Sequence, residues 1–106
     1  CISLACQKED YIRHQAKRMQ QLNVDVIVCP SAAISMKQNH SVYSPIHNSI
    51  APVSILLEEG VRVKLGMDNI EDLFMPLVDG DMWFETRLLM EATRIYDFKK
   101  ILDIVI

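Results

Sequence analysis

The residues best placed to do chemistry stand between Val61 and Pro76, in the stretch VRVKLGMDNIEDLFMP. A short β-run, with Val61, Val63 and Leu65 alternating with Arg62 and Lys64, stops at Gly66 and is followed by a carboxylate, Asp68. An acidic turn with Asn69, Glu71 and Asp72 comes next, then an apolar lip of Leu73, Phe74 and Met75 closed by Pro76. A strand that ends in a glycine and then presents an Asp is how α/β folds carry chemistry at the carboxyl ends of their strands. An ordinary surface turn after a strand produces the same pattern. Other chemistries lack their spacing. His14, His40 and His47 form neither an HxH pair nor an HxxxH pair, so zinc-ligand spacing is absent. Cys29 before Pro30 does not make the PCxxC of the zinc-dependent nucleobase deaminases. No serine lies in a GxSxG elbow, and the loop from Asp68 to Asp72 lacks the glycine of a calcium-binding EF-hand.

These residues need elements to position them. Residues 1–8, CISLACQK, are small and apolar and are expected as a strand end running into a loop. Glu9 and Asp10 open an amphipathic helix carrying Tyr11, Ile12, Ala16, Met19 and Leu22 at near-helical spacing, with Arg13, Lys17 and Arg18 on a solvated face. Val24 to Cys29, VDVIVC, is a β-branched run stopped by Pro30, expected as a parallel strand buried on both faces. Residues 31–50 have no sustained period and are expected as a long excursion at that strand's carboxyl end, on the same side of the sheet as Asp68. Its Gln38, Asn39 and His40 are candidate rim contacts. Pro52 falls in the first turn of a helix, VSILLEEG, that Gly60 ends. After the acidic loop, Asp79-Gly80-Asp81 makes a turn and helix start. Trp83, Leu88, Leu89, Met90, Ala92 and Ile95 mark the long helix that follows. Lys99 to Ile106 forms a short helix with Ile101, Leu102 and Val105 facing inward. The order helix, strand, helix, strand, helix implies an α/β fold with parallel strands and right-handed crossovers.

The chain has 106 residues, half of them hydrophobic, and a net charge of −3. That is one domain's worth of core, without the basic character that a nucleic-acid partner would call for. No apolar run reaches the ~20 residues of a membrane span. Cys1, Cys6 and Cys29 are odd in number and lack CxxC spacing, which points to a reducing cytoplasm rather than a disulfide framework. Two strands flanked by helices leave both sheet edges open and much apolar surface uncovered, so the chain is expected to be a piece of a larger protein.

The stretch Leu65 to Met82, LGMDNIEDLFMPLVDGDM, resembles the last strand and following loop of the cytosine deaminase-like branch of the amidohydrolase superfamily. The resemblance rests on Gly66, Asp68, Asp72, Phe74, Pro76, Gly80, Asp81 and Met82. The Val24-to-Pro30 strand, the Ala51-to-Gly60 helix and the opening CISLA extend it over essentially the whole chain. It implies the carboxyl-terminal part of a (β/α)₈ barrel, spanning residues 1–106. It also implies hydrolysis of C–N bonds in cyclic amidines or amides, with a divalent metal, zinc or iron, activating water. The strand-end carboxylate carried over to Asp68 would contact that metal and take a proton from the attacking water. Phe74 would form an apolar wall over a flat heterocyclic substrate, and the parent protein would be a homo-oligomer.

Departures from the family are definite. The HxH ligands, the other two ligand histidines and the acid/base Glu are missing from these residues. Ala33 stands where an Asn is common, and Met67 replaces a polar residue before the Asp. Strand parity puts Lys64 on the side of Asp68, pointing into a barrel, where a buried lysine costs several kcal/mol unless paired; a bulge at Gly66 would reverse that parity. Two expectations follow. The 106 residues alone are catalytically inactive, since a catalytic metal needs three or more protein ligands. The alternative is a non-catalytic α/β module, or a decayed amidohydrolase, that acts through protein contacts.

Overall fold

Where helices and strands begin in this chain is decided by end signals as much as by apolar spacing. The structure, a computed structural model, describes residues 2–35, 40–41 and 50–106. The order is α1 (Ile2–Ala5), α2 (Glu9–Gln21), β1 (Val26–Val28), α3 (Pro30–Ile34), α4 (Val53–Glu58), β2 (Val63–Leu65), α5 (Met82–Thr93) and α6 (Phe98–Val105). The fold is mixed α/β, with β1 and β2 paired in parallel in the register Val26↔Val63, Ile27↔Lys64 and Val28↔Leu65. Val26 N–H donating to Arg62 C=O at 2.9 Å and Gly66 N–H donating to Val28 C=O at 2.8 Å bracket the ladder.

α2 forms as its spacing predicts. Ile12 and Ala16 are buried one turn apart, with Glu9 and Asp10 in the first turn, where carboxylates meet the positive end of the helix dipole. Arg13 leaves the far side to staple α2 to α4, its guanidinium donating to Glu58 at 2.8 Å, Glu59 at 2.9 Å and Glu9 at 2.9 Å. Those carboxylates, Glu58 first, hold Arg13 further above its already high ordinary pKa. α4 follows Pro52 and ends before Gly60, whose φ of +77° is the left-handed conformation glycine adopts most readily. Asp81 caps α5, accepting from Trp83 N–H at 2.8 Å and Phe84 N–H at 3.3 Å. Asp97 caps α6 in the same way.

The core is Ala16, Val26, Val28, Val53, Leu56, Val61, Val63, Leu89, Ile101 and Ile104. It lies between one face of the two strands and the surrounding helices.

Five expectations are corrected. Residues 2–5 are helical rather than a strand end, closed by Gln7 N–H on Leu4 C=O and by the Gln7 side chain on Ser3 C=O. The first strand is not buried on both faces: Val26 and Val28 are buried but Ile27 is 67% exposed, because helices cover one side of the pair only. The excursion after that strand begins with a helix, α3. Pro30, which ends the strand, also occupies the first turn of this helix, where its missing N–H costs nothing. In α6 Ile101 is buried and Val105 packs partly buried against the core as expected, but it is Ile104 that joins them, while Leu102 is 50% exposed. Trp83, too, marks the exposed rather than the packed side of α5.

Pro30 and Asp68 follow the same end of the parallel pair, as expected. Gln38, Asn39 and His47 lie outside the described residues, and His40 is exposed in a turn. Among the described residues, no helix is long and apolar enough to cross a membrane.

Candidate active site at the strand ends

The two strand ends approach closely at Gly66. A Cβ built on it would come within 2.7 Å of Ile27 Cγ2 and 3.3 Å of Cys29 Sγ. This places Gly66, Ile27 and Cys29 on one side of the sheet, the side that no helix among the described residues covers. Only a residue without a side chain lets β2 end against β1 there.

Two residues on, Asp68 sits at φ +67°, a left-handed conformation in which Asp and Asn are enriched. The chain turns sharply there, close enough to Cys29 for the Asp68 carboxylate to act on its thiol. Burial, reinforced by the nearby Asp68 and Glu85 carboxylates, pushes the Cys29 thiol above its ordinary value. Cys29 therefore stays a neutral thiol at physiological pH and is not an activated nucleophile.

Glu85, on α5, completes the cluster from below. It is 1% exposed, and its Oε2 accepts the Ser31 N–H of α3 at 3.1 Å. Its Oε1 is buried with no hydrogen-bond partner among the described residues, an arrangement that costs about 1–3 kcal/mol. Sequence reasoning missed Glu85. The available signal was position: it lies one turn before Leu89, interrupting the buried stripe of α5 with a charge.

The acidic turn beyond Asp68 is held by its own second carboxylate. Asp72 Oδ1 accepts from Met75 N–H at 2.7 Å and Phe74 N–H at 2.9 Å, and its Oδ2 accepts from Asn69 Nδ2. The Met75 amide, then those of Phe74 and Asn69, holds the Asp72 carboxyl below its ordinary range. Asp72 is thus occupied in shaping the loop. Phe74, expected as a wall over substrate, is 79% exposed. Its neighbours Leu73 and Leu77 are likewise open at 89% and 93%.

Lys64 is exposed, and its Nζ donates to the Asp103 carbonyl of α6 at 2.9 Å. Lys64 shares the open face of the sheet with its register partner Ile27. Ala33, standing where an Asn was expected, is buried in α3. No group of three or more His, Cys, Asp or Glu side chains able to hold a metal ion occurs among the described residues. Asp68 is an exposed strand-end carboxylate. No family model, curated protein or solved structure matches the chain.

Proposed function

We propose that these residues are the carboxyl-terminal strands of a metal-dependent amidohydrolase barrel of the cytosine deaminase-like kind, with Asp68 as the carboxylate that accepts a proton from the attacking water. The observation that carries the reading is Asp68 itself. It stands at the carboxyl end of a parallel strand, beyond a glycine packed against the neighbouring strand and near Cys29. The open sheet face of Ile27 and the exposed lip of Leu73, Phe74 and Leu77 are surfaces that further barrel strands and a flat heterocycle would cover. The metal ligands belong on those further strands, and the 106 residues alone are inactive.

The test is to produce these residues together with the remaining strands of the barrel. Ammonia release from cytosine and related cyclic amidines is then followed with and without added divalent metal. Asp68→Asn, nearly isosteric but unable to accept a proton at neutral pH, should lower kcat by ~10²–10⁴ and leave KM nearly unchanged. Asn also suits the left-handed turn, so an unaltered kcat would reduce Asp68 to a turn former. A wild-type protein that hydrolyses none of these substrates would defeat the whole reading.

One observation favours the alternative, a module acting through protein contacts. An apolar groove of about 550 Å³ runs between α5 and α6, lined by Trp83, Met90, Tyr96, Phe98, Leu102 and Ile106. A parent protein without the HxH histidines upstream would decide for it.

A further inference from the structure

The amidohydrolase reading leaves Glu85 without a task, yet it is the most deeply buried charged side chain among the described residues. We propose that Glu85 is a positioning residue for Asp68: from α5 it anchors the carboxyl end of β1, and the anchored strand end holds, through the Gly66 N–H on Val28 C=O, the turn that carries Asp68. As geometry the inference stands by itself; as a role in catalysis it rests on the amidohydrolase reading.

The chain of contacts is short. Glu85 Oε2 accepts the Ser31 N–H at 3.1 Å, and Ser31, Pro30 and Ala33 are buried against α5. An amide in the first turn of a helix has no acceptor within that helix, so without Glu85 the Ser31 N–H would be buried and unmet. Ser31 is two residues from Cys29, whose carbonyl accepts the Ala33 N–H at 3.2 Å and so belongs to the same helical turn. On the β2 side, Gly66 N–H bonds Val28 C=O and Glu71 N–H bonds Val78 C=O, each at 2.8 Å. Asp68 lies between those two bonds, two residues beyond Gly66, whose backbone packs so close to Cys29 that an added Cβ would stand 3.3 Å from its Sγ. Movement of the β1 end is therefore felt at Asp68. A side chain that only filled space there would not need to be a carboxylate.

The experiment compares Glu85→Leu, which keeps bulk and removes the acceptor, with Glu85→Gln, which keeps one acceptor oxygen. Residue-resolved amide hydrogen exchange is measured at Ser31, at Gly66, whose N–H bonds Val28 C=O, and at Ala16, a fully buried residue of α2 that serves as reference. In Glu85→Leu, exchange should rise about tenfold or more at Ser31, as loss of a hydrogen bond to a charged acceptor implies, and should rise with it at Gly66 but not at Ala16. Glu85→Gln should restore most of the protection at both amides. Acceleration at Ser31 without Gly66, or equal acceleration at all three, overturns the proposal. If Glu85→Leu does not fold, Glu85→Gln decides: its weaker, neutral acceptor should give a smaller rise at Ser31 and Gly66 together, and a rise at Ser31 alone overturns the proposal. In the complete barrel, kcat per folded molecule should fall in Glu85→Leu and recover in Glu85→Gln with KM unchanged; an unchanged kcat overturns the catalytic role. A wild-type barrel inactive on every cyclic amidine counts against the amidohydrolase reading alone, and the exchange result still decides whether Glu85 positions Asp68.

Discussion

Three side chains and one missing side chain shape the candidate site, and each answers to a different force. Gly66 is there for space. Gly66→Ala would place a methyl 2.7 Å from Ile27 Cγ2 and 3.3 Å from Cys29 Sγ. The Ile27 methyl branches directly from Cβ and has little freedom to retreat. Overpacking of this kind should cost about 1–3 kcal/mol, measurable by urea denaturation, and should also prise Cys29 from the Asp68 turn. Asp72 is there for its lone pairs. Its carboxyl is held below the ordinary Asp range chiefly by the Met75 amide. The sign follows from linkage: a depressed folded value means the contribution is fully present above the unfolded value of about 3.9 and is lost as pH falls through the lower, folded one. NMR titration of the Asp72 carboxyl should therefore give a midpoint below the ordinary value, with the Phe74 and Met75 amide shifts moving in step. A midpoint at the ordinary value, or amides that do not follow it, would remove the bonds that define the loop. Cys29, raised rather than lowered, and Glu85, buried with one oxygen unmet, shape the surroundings of Asp68.

At the scale of elements, α5 matters most to the site because it carries Glu85 and begins where the acidic loop ends. Its start depends on Asp81, whose Oδ1 takes two otherwise unmet amides of the first turn. Asp81→Ala should cost about 0.5–2 kcal/mol, while Asp81→Asn, an equally good cap, should cost only a small fraction of that. Thermal denaturation of the two variants beside the wild type checks the difference; equal losses would show that charge rather than capping is at work. α3 is the other decisive element. Five residues long, it has little stability of its own and exists because Pro30 sets its first turn and α5 packs against it. The register of β1 on β2 brings the end of α3's preceding strand level with Gly66.

For the molecule as a whole, the informative feature is an asymmetric sheet. Val26, Val28 and Val63 are buried under helices, whereas Ile27 and its register partner Lys64 are exposed on the opposite face. Ile27→Lys in the 106-residue chain should change stability by no more than about 0.5 kcal/mol, as exposed substitutions usually do. Val63→Lys, forced into the core, should prevent folding. In a complete barrel the Ile27 face points inward, and the same Ile27→Lys should then cost several kcal/mol as an unpaired buried charge. Chemical denaturation of the short and the complete protein separates the two architectures. Equal tolerance in both would favour a free-standing α/β module.

Much of this was legible in the residues. α2, α4, α5 and α6 announce themselves through acidic starts, Pro and Gly stops and Asp caps, because helix ends are local events settled within a few residues. The parallel pairing and the common end of Pro30 and Asp68 followed from strand–helix alternation. What lay beyond the sequence was contact between distant segments. Nothing near Ile27 in the chain says that one face of its strand lacks a helix, and nothing near Glu85 says that Ser31, 54 residues earlier, needs an acceptor. The reach of Lys64 to Asp103 and the placing of Cys29 beside Asp68 belong to the same class. Local signals set where elements begin and end; burial and hydrogen-bond demand across the assembled core decided which of their faces and side chains meet.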